Sequence, residues 1–151
     1  MTLETLTQNS PTGTLSGKTA IVTGGSRGIG RAICTALAAE GARVLVNYSK
    51  PAEQAAALAE RIGGVAFQAD VADATQVRSL FDAAEGAFQS VDIRVNNAGI
   101  ALLKPVAATE IDEYDRVFAV NARGAADCGS KAAIEQLTRA WARELGAMEL
   151  S

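Results

Sequence analysis

Thr19-Ala20-Ile21-Val22-Thr23-Gly24-Gly25-Ser26-Arg27-Gly28-Ile29-Gly30 passes within twelve residues from a β-prone run through a glycine cluster into a helical pattern. Thr19 to Val22 is short, apolar and stopped by Gly24-Gly25, as a strand buried on both faces of a parallel sheet would be. From Gly28 to Glu40, Ile29, Ile33 and Leu37 recur at helical spacing, and Gly41 stands where a left-handed C-terminal cap is expected. A glycine cluster alone is weak evidence of a site. One that closes a strand and opens a helix is specific, because the glycines let the backbone approach a pyrophosphate while the helix N-terminus directs its free N–H groups at it.

Working outward, the same alternation continues. Arg43 to Asn47 reads as a second strand and Ala52 onward as a second helix, with Leu58 and Ile62 on one face and Gly63-Gly64 at its end. Val65 to Gln68 is a third strand, Ala74 to Phe88 a third helix, and Ile93 to Val95 a fourth strand. Arg94 is out of place in a strand covered on both faces, since its guanidinium needs a partner or an exit to water. Glu110 to Val120 reads as helical, with Ile111, Tyr114, Val117 and Phe118 on its apolar side. The next helix, Ser130 to Leu145, has a stripe of Ile134, Leu137, Trp141 and Leu145, and no fifth strand intervenes. The expected fold class is α/β, a Rossmann-like doubly wound parallel sheet with right-handed crossovers, incomplete at about four strands with flanking helices. Residues 1–15 read as a flexible leader and 16–151 as a partial NAD(P)-binding domain.

Composition narrows the function classes. A chain of 151 residues with 48% apolar and 21% charged residues suits one globular domain. A net charge of −3 without a Lys or Arg block gives no footprint for nucleic acid. There is no histidine, which removes Ser-His-Asp and Cys-His catalysis and the commonest zinc ligand; no metal site is expected. Cys34 and Cys128 fit no metal or redox spacing and read as small structural thiols in a reducing compartment. With neither a signal peptide nor a membrane-length apolar run, a cytoplasmic protein with no membrane partner is the expectation.

The loop Thr23, Gly24, Ser26, Arg27, Gly28, Ile29, Gly30 resembles the TGxxxGIG motif of the short-chain dehydrogenase/reductase family, and further motifs follow in order from about Ser16 to Gly146. Asn96-Asn97-Ala98-Gly99 resembles the family's NNAG turn, which implies that Asn97, Ala98 and Gly99 support the sheet and lie against the cofactor. Asp70-Val71 is similar to the pair that contacts the adenine ring. Asn121 matches the active-site asparagine that holds a water of the proton relay. The family's reaction is hydride transfer between a nicotinamide cofactor and a carbonyl or alcohol.

Cofactor choice falls to the end of the second strand, where an acid would bind the adenosine ribose and repel a 2′-phosphate. Here stand Asn47, Tyr48, Ser49 and Lys50, with no carboxylate, and Arg27 can pair with a phosphate. NADP(H) is therefore expected over NAD(H).

The resemblance breaks in the catalytic half. Lys131 keeps the family's lysine, but four positions before it, where the family has its tyrosine, stands Asp127. An aspartate titrates near about 3.9 against about 10 for tyrosine and has no proton to give at neutral pH. Asn121 and Lys131 are separated by 10 positions, whereas a helix end, a strand and a new helix need roughly 30. The strand that carries the family's catalytic serine is thus missing, and Asn121 and Lys131 read as remnants of the site. The family also has a strand and substrate loop that would follow Ser151.

The expectation is a cofactor-binding chain without turnover, truncated and internally deleted, which takes a small carbonyl or alcohol substrate only if the missing segments are supplied. An alternative is a non-catalytic module that joins an intact homologous subunit through the open edge of the fourth strand and the Ile134/Leu137/Trp141 face, as a homo- or hetero-oligomer. A working reductase using Asp127 or Tyr114 for proton transfer is the least favoured reading, because Tyr114 is expected in the core.

Overall fold

Thr19–Val22 (β1), Arg43–Tyr48 (β2), Val65–Gln68 (β3) and Ile93–Val95 (β4) form one parallel sheet in the order β3-β2-β1-β4. The computed structural model describes residues 13–50, 52–105 and 108–125. Ile21 sits between Leu45 on one neighbour and Arg94 on the other. Helices α1 (Gly28–Ala39), α2 (Ala52–Ile62) and α3 (Ala74–Phe88) separate the strands, and α4 (Ile111–Phe118) runs on into a π-helical turn, Ala119–Arg123.

The period of two along each strand divides the core into two layers. Ala20, Val22, Val44 and Val46 pack with Cys34 of α1 and with Ala55, Leu58 and Ala59 of α2. Ile21 and Leu45 face the other way, onto Leu80, Ala84 and Phe88 of α3. Both faces are covered, which is why β1 and β2 read as unbroken apolar runs. Burial pushes the Cys34 thiol up to about 11, so it is a neutral, unreactive filler of the α1 layer. Helix ends fall where the glycines signal them. The Gly41 N–H reaches the Ala38 carbonyl at 3.0 Å and the Ala42 N–H that of Leu37 at 3.0 Å, the paired bonds of a Schellman cap. Asp73 caps α3, its carboxylate accepting from the Thr75 and Gln76 N–H groups.

Three expectations need revision. Arg94 does not disturb β4, which is an edge strand among the described residues; its guanidinium leaves the sheet and lies 4.9 Å from the centroid of the Phe81 ring. Ile29 continues the stripe of Ile33 and Leu37 but is 74% exposed, because the first turn of α1 extends past the strand ends. The apolar side of α4 is only half used: Val117 and Phe118 are half-buried, whereas Ile111 and Tyr114 are exposed, and the Tyr114 ring rests 4.4 Å from that of Phe118. No described element covers the first turn of α4, so Tyr114 is not a core residue there.

At the other end, Thr14 and Leu15, within the span read as a leader, are tied to the end of α1. The Thr14 N–H and hydroxyl donate to the Glu40 carboxylate at 3.1 and 2.8 Å, and the Leu15 N–H donates to the Glu40 carbonyl. Asp127, Cys128, Lys131 and the expected helix from Ser130 to Leu145 lie outside the described residues.

The start of β1 is stitched to the approach to β4. Asp92 accepts from Lys18 Nζ at 3.0 Å and from the Thr19 N–H at 2.9 Å, and the Thr19 hydroxyl donates to the Ser90 carbonyl at 2.6 Å. Lys18 first, then the Thr19 donors, hold the Asp92 carboxyl below its ordinary value.

Two stability measurements check this account. Leu80→Ala removes a fully buried side chain from the α3 layer and is expected to cost about 2–5 kcal/mol in urea unfolding. Asp92→Asn is expected to lower stability at neutral pH. Because the folded carboxyl titrates below the unfolded one, its contribution is full above the unfolded pKa and is lost as pH falls through the lowered folded value. The gap between wild type and Asp92→Asn should therefore close in acid.

Candidate functional site

All four strands point their C-terminal ends at one cleft of about 360 Å³. The chain turns one way from β1 to β2 and the other way to β4, so the order reverses beside β1, where open α/β sheets form their ligand crevice. The loop after β1 makes the floor, residues 47–50 at the end of β2 and 69–71 after β3 one wall, and the turn after β4 the other.

Thr23 and Asn97 hold the floor together. The Thr23 hydroxyl accepts from the Asn97 and Ala98 N–H groups at 3.0 Å each, and the Asn97 side-chain amide donates back to the Thr23 and Gly24 carbonyls at 3.0 and 3.1 Å. Thr23 is itself buried and lies beneath the cleft rather than on its surface. Gly30 presses against the same knot: a Cβ there would sit 2.3 Å from the Gly24 carbonyl oxygen and 2.5 Å from Asn97 Nδ2. Only a glycine allows α1 to start so close to the loop.

Asn47 is a scaffold residue on the cleft wall. Its side chain is buried, with Oδ1 accepting from the Gly24 N–H at 3.3 Å and Nδ2 donating to the Ala69 carbonyl at 3.1 Å, so it joins the loop to the ends of β2 and β3. Beyond it, Tyr48, Ser49 and Lys50 line the cleft and bring no carboxylate. Arg27 lines it too, as do Ser26, Gly28 and Ile29 from the loop and Asp70, Val71, Ala98 and Gly99 from the other walls.

The helix N-terminus is left for a ligand. Arg27 occupies the N-cap of α1 with no side-chain hydrogen bond to the first turn, whereas Asp73 caps α3 and the Glu113 carboxylate accepts the Glu110 N–H at the start of α4. Gly28 has a φ of +53°, and a Cβ added there would enter open space within 4 Å on all sides, at the cleft surface. Unspent N–H groups, a bare glycine and a nearby guanidinium form a cradle that a pyrophosphate fits. The residues present suit a dinucleotide.

Asp70 and Arg116 meet across the cleft. Burial works to raise the Asp70 carboxyl, but the Ala72 N–H and the Arg116 guanidinium outweigh it and hold the group below its ordinary value. Arg116 from α4 and Ile100 after the β4 turn are wall residues that sequence reading missed. No local signal marks Arg116, since its partner is 46 residues away.

Asn121 stands on the π-helical turn, a distortion often found at functional sites. Its amide is paired with one residue, accepting from the Ile100 N–H at 2.9 Å and donating to the Ile100 carbonyl at 2.8 Å. The side chain thus braces the segment after the β4 turn. Lys131, the other remnant of the expected catalytic group, and Asp127, at the position of the family's tyrosine, lie outside the described residues.

Residues 18–129 match the profile of the short chain dehydrogenase family. An NADPH-dependent aldehyde reductase-like protein, chloroplastic, from Arabidopsis thaliana is 43% identical over 136 residues, covering 79% of this chain and 50% of that protein. Among solved structures, a short chain dehydrogenase from Burkholderia cenocepacia in complex with NADP superposes with a TM-score of 0.74 at 42% identity, over 81% of this chain and 51% of that one. A blue fluorescent protein from a metagenomic library in complex with NADPH superposes with a TM-score of 0.71 at 41% identity, over 76% and 49% of the two chains. The chain spans about half the length of the curated relatives it matches. Sheet order, glycine loop and family match agree, and the chain belongs to the short-chain dehydrogenase/reductase family.

Proposed function

We propose that the cleft binds NADP(H) in preference to NAD(H), and that this chain as it stands does not turn over a carbonyl or alcohol substrate. The observation that carries the cofactor preference is the pairing of Arg27 and Lys50 on one cleft with no acid among residues 47–50. A 2′-phosphate there meets two cations and no carboxylate at the end of β2. Relatives named as NADPH-dependent, and structures holding NADP or NADPH, support the same reading.

The absence of turnover rests on residues inside the chain. Hydride transfer to a carbonyl requires a proton for the alkoxide, and the position four before Lys131, where the family has its tyrosine, holds Asp127, a carboxylic acid in place of the phenol. A small carbonyl or alcohol becomes a substrate only where the missing strand and its serine are supplied.

Calorimetric titration tests the cofactor assignment: NADPH is expected to bind, and Arg27→Ala to weaken it by about tenfold or more while leaving NADH little changed. Equal affinity for NADH and NADPH in the wild type would overturn it. Gly30→Ala is expected to abolish binding of both and to cost about 1–3 kcal/mol of stability, since its methyl meets backbone. With an aldehyde panel, NADPH consumption by the isolated chain is expected to stay at background, and clear turnover refutes the second half of the proposal.

A further inference from the structure

Arg116 belongs to α4, yet it forms part of the cofactor cleft. Its Nη2 lies 2.7 Å from Asp70 Oδ2, the contact that ties α4 to the chain leaving β3. The other Asp70 oxygen, Oδ1, accepts from the Ala72 N–H at 2.9 Å. With a donor on each oxygen, the carboxylate plane is held from two sides, and each oxygen keeps a second lone-pair direction for a further donor. Both side chains are partly open to solvent, and an ion pair in that setting adds little to stability. Its geometric effect on the cleft is larger than its energetic effect on the fold.

Resting on the reading of this cleft as an NADP(H) site, we propose that Arg116 is a positioning residue that keeps Asp70 aligned as an acceptor for the exocyclic amino group of the adenine. It thereby sets selectivity for adenine over a base with a carbonyl at that position. An ionised carboxylate only accepts, so it pairs with the adenine amino group and repels the hypoxanthine carbonyl. The groups around Asp70 are few. Arg116 faces it from α4; Asp73, at the start of α3, opposes its ionisation; the Gln76 side chain takes up the Asp70 N–H at 2.9 Å; and Lys50 lines the same cleft. Without Arg116, only the Ala72 N–H is left to orient the carboxylate. The carboxylate is then free to turn away from the adenine edge, and the preference that depends on its alignment is lost.

The test compares the dissociation constants of NADPH and of reduced nicotinamide hypoxanthine dinucleotide phosphate for the full chain. Their ratio cancels the 2′-phosphate, the pyrophosphate and the nicotinamide. Wild type is expected to favour NADPH by about tenfold, a charge-assisted hydrogen bond's worth. Arg116→Met is expected to bring the ratio close to one, and Arg116→Lys to restore most of it. Asp70→Asn, whose amide donates as well as accepts, should also erase the preference and serves as a second variant should Arg116→Met not fold. An unchanged ratio in Arg116→Met, even with both affinities lowered equally, overturns the proposal and leaves Arg116 a structural residue. Failure of the wild type to bind NADPH at all overturns the cofactor reading, and this proposal with it.

Discussion

The contact on which the site depends is the approach of Gly30 to the Gly24 carbonyl and the Asn97 amide. It allows α1 to begin directly over the loop after β1, so that the first turn of the helix, the loop and the turn after β4 share one floor. The Thr23 hydroxyl completes the arrangement by accepting two backbone N–H groups from the far side. Nothing in this knot is charged. Its strength comes from several short neutral hydrogen bonds in a partly buried setting, where each donor left unpaired would cost more than the bond contributes.

The uncapped start of α1 follows from that geometry. A helix in this protein can be capped from its own sequence, as Asp73 caps α3 and Glu110 with Glu113 caps α4. At α1 the N-cap is Arg27, whose side chain cannot accept a hydrogen bond, and the free N–H groups face the cleft. The local cost to the helix is the same feature that lets an anion bind there.

Much of this was legible in the sequence because it is local. Strand runs, helical stripes and the glycines that end α1 and α2 each signal within a dozen residues, and the strand, loop and helix around Thr23 to Gly30 identify the crevice. Periodicity was less informative where an element leaves the core. Ile29 carries the same stripe as Ile33 and Leu37 but projects beyond the strands, and Tyr114 reads as buried although no described element covers it. Long-range pairings left no mark at all. Asn47 reads only as a cofactor-site residue at the end of the second strand, and its bonds to Gly24 and Ala69 have no signal in the sequence. Arg116 became visible only when folding brought it to Asp70. The resemblance supplied roles that pattern could not, Asn97 supporting the sheet and Asn121 holding a relay water; in the structure the Asn97 amide bonds the Thr23 and Gly24 carbonyls, and the Asn121 amide bonds the Ile100 backbone.

The Thr23–Asn97 knot has a consequence for how the chain is made. Its two halves are separated by 74 residues, and β1, the strand between β2 and β4, cannot gain its second neighbour until β4 has been synthesised. As the chain leaves the ribosome, β1, α1 and β2 emerge with one edge of β1 still bare and the glycine loop without the amides that shape it. Contacts of such long sequence separation close late and favour slow folding. The glycine loop, although made first, thus takes its final shape only once the turn after β4 has joined it.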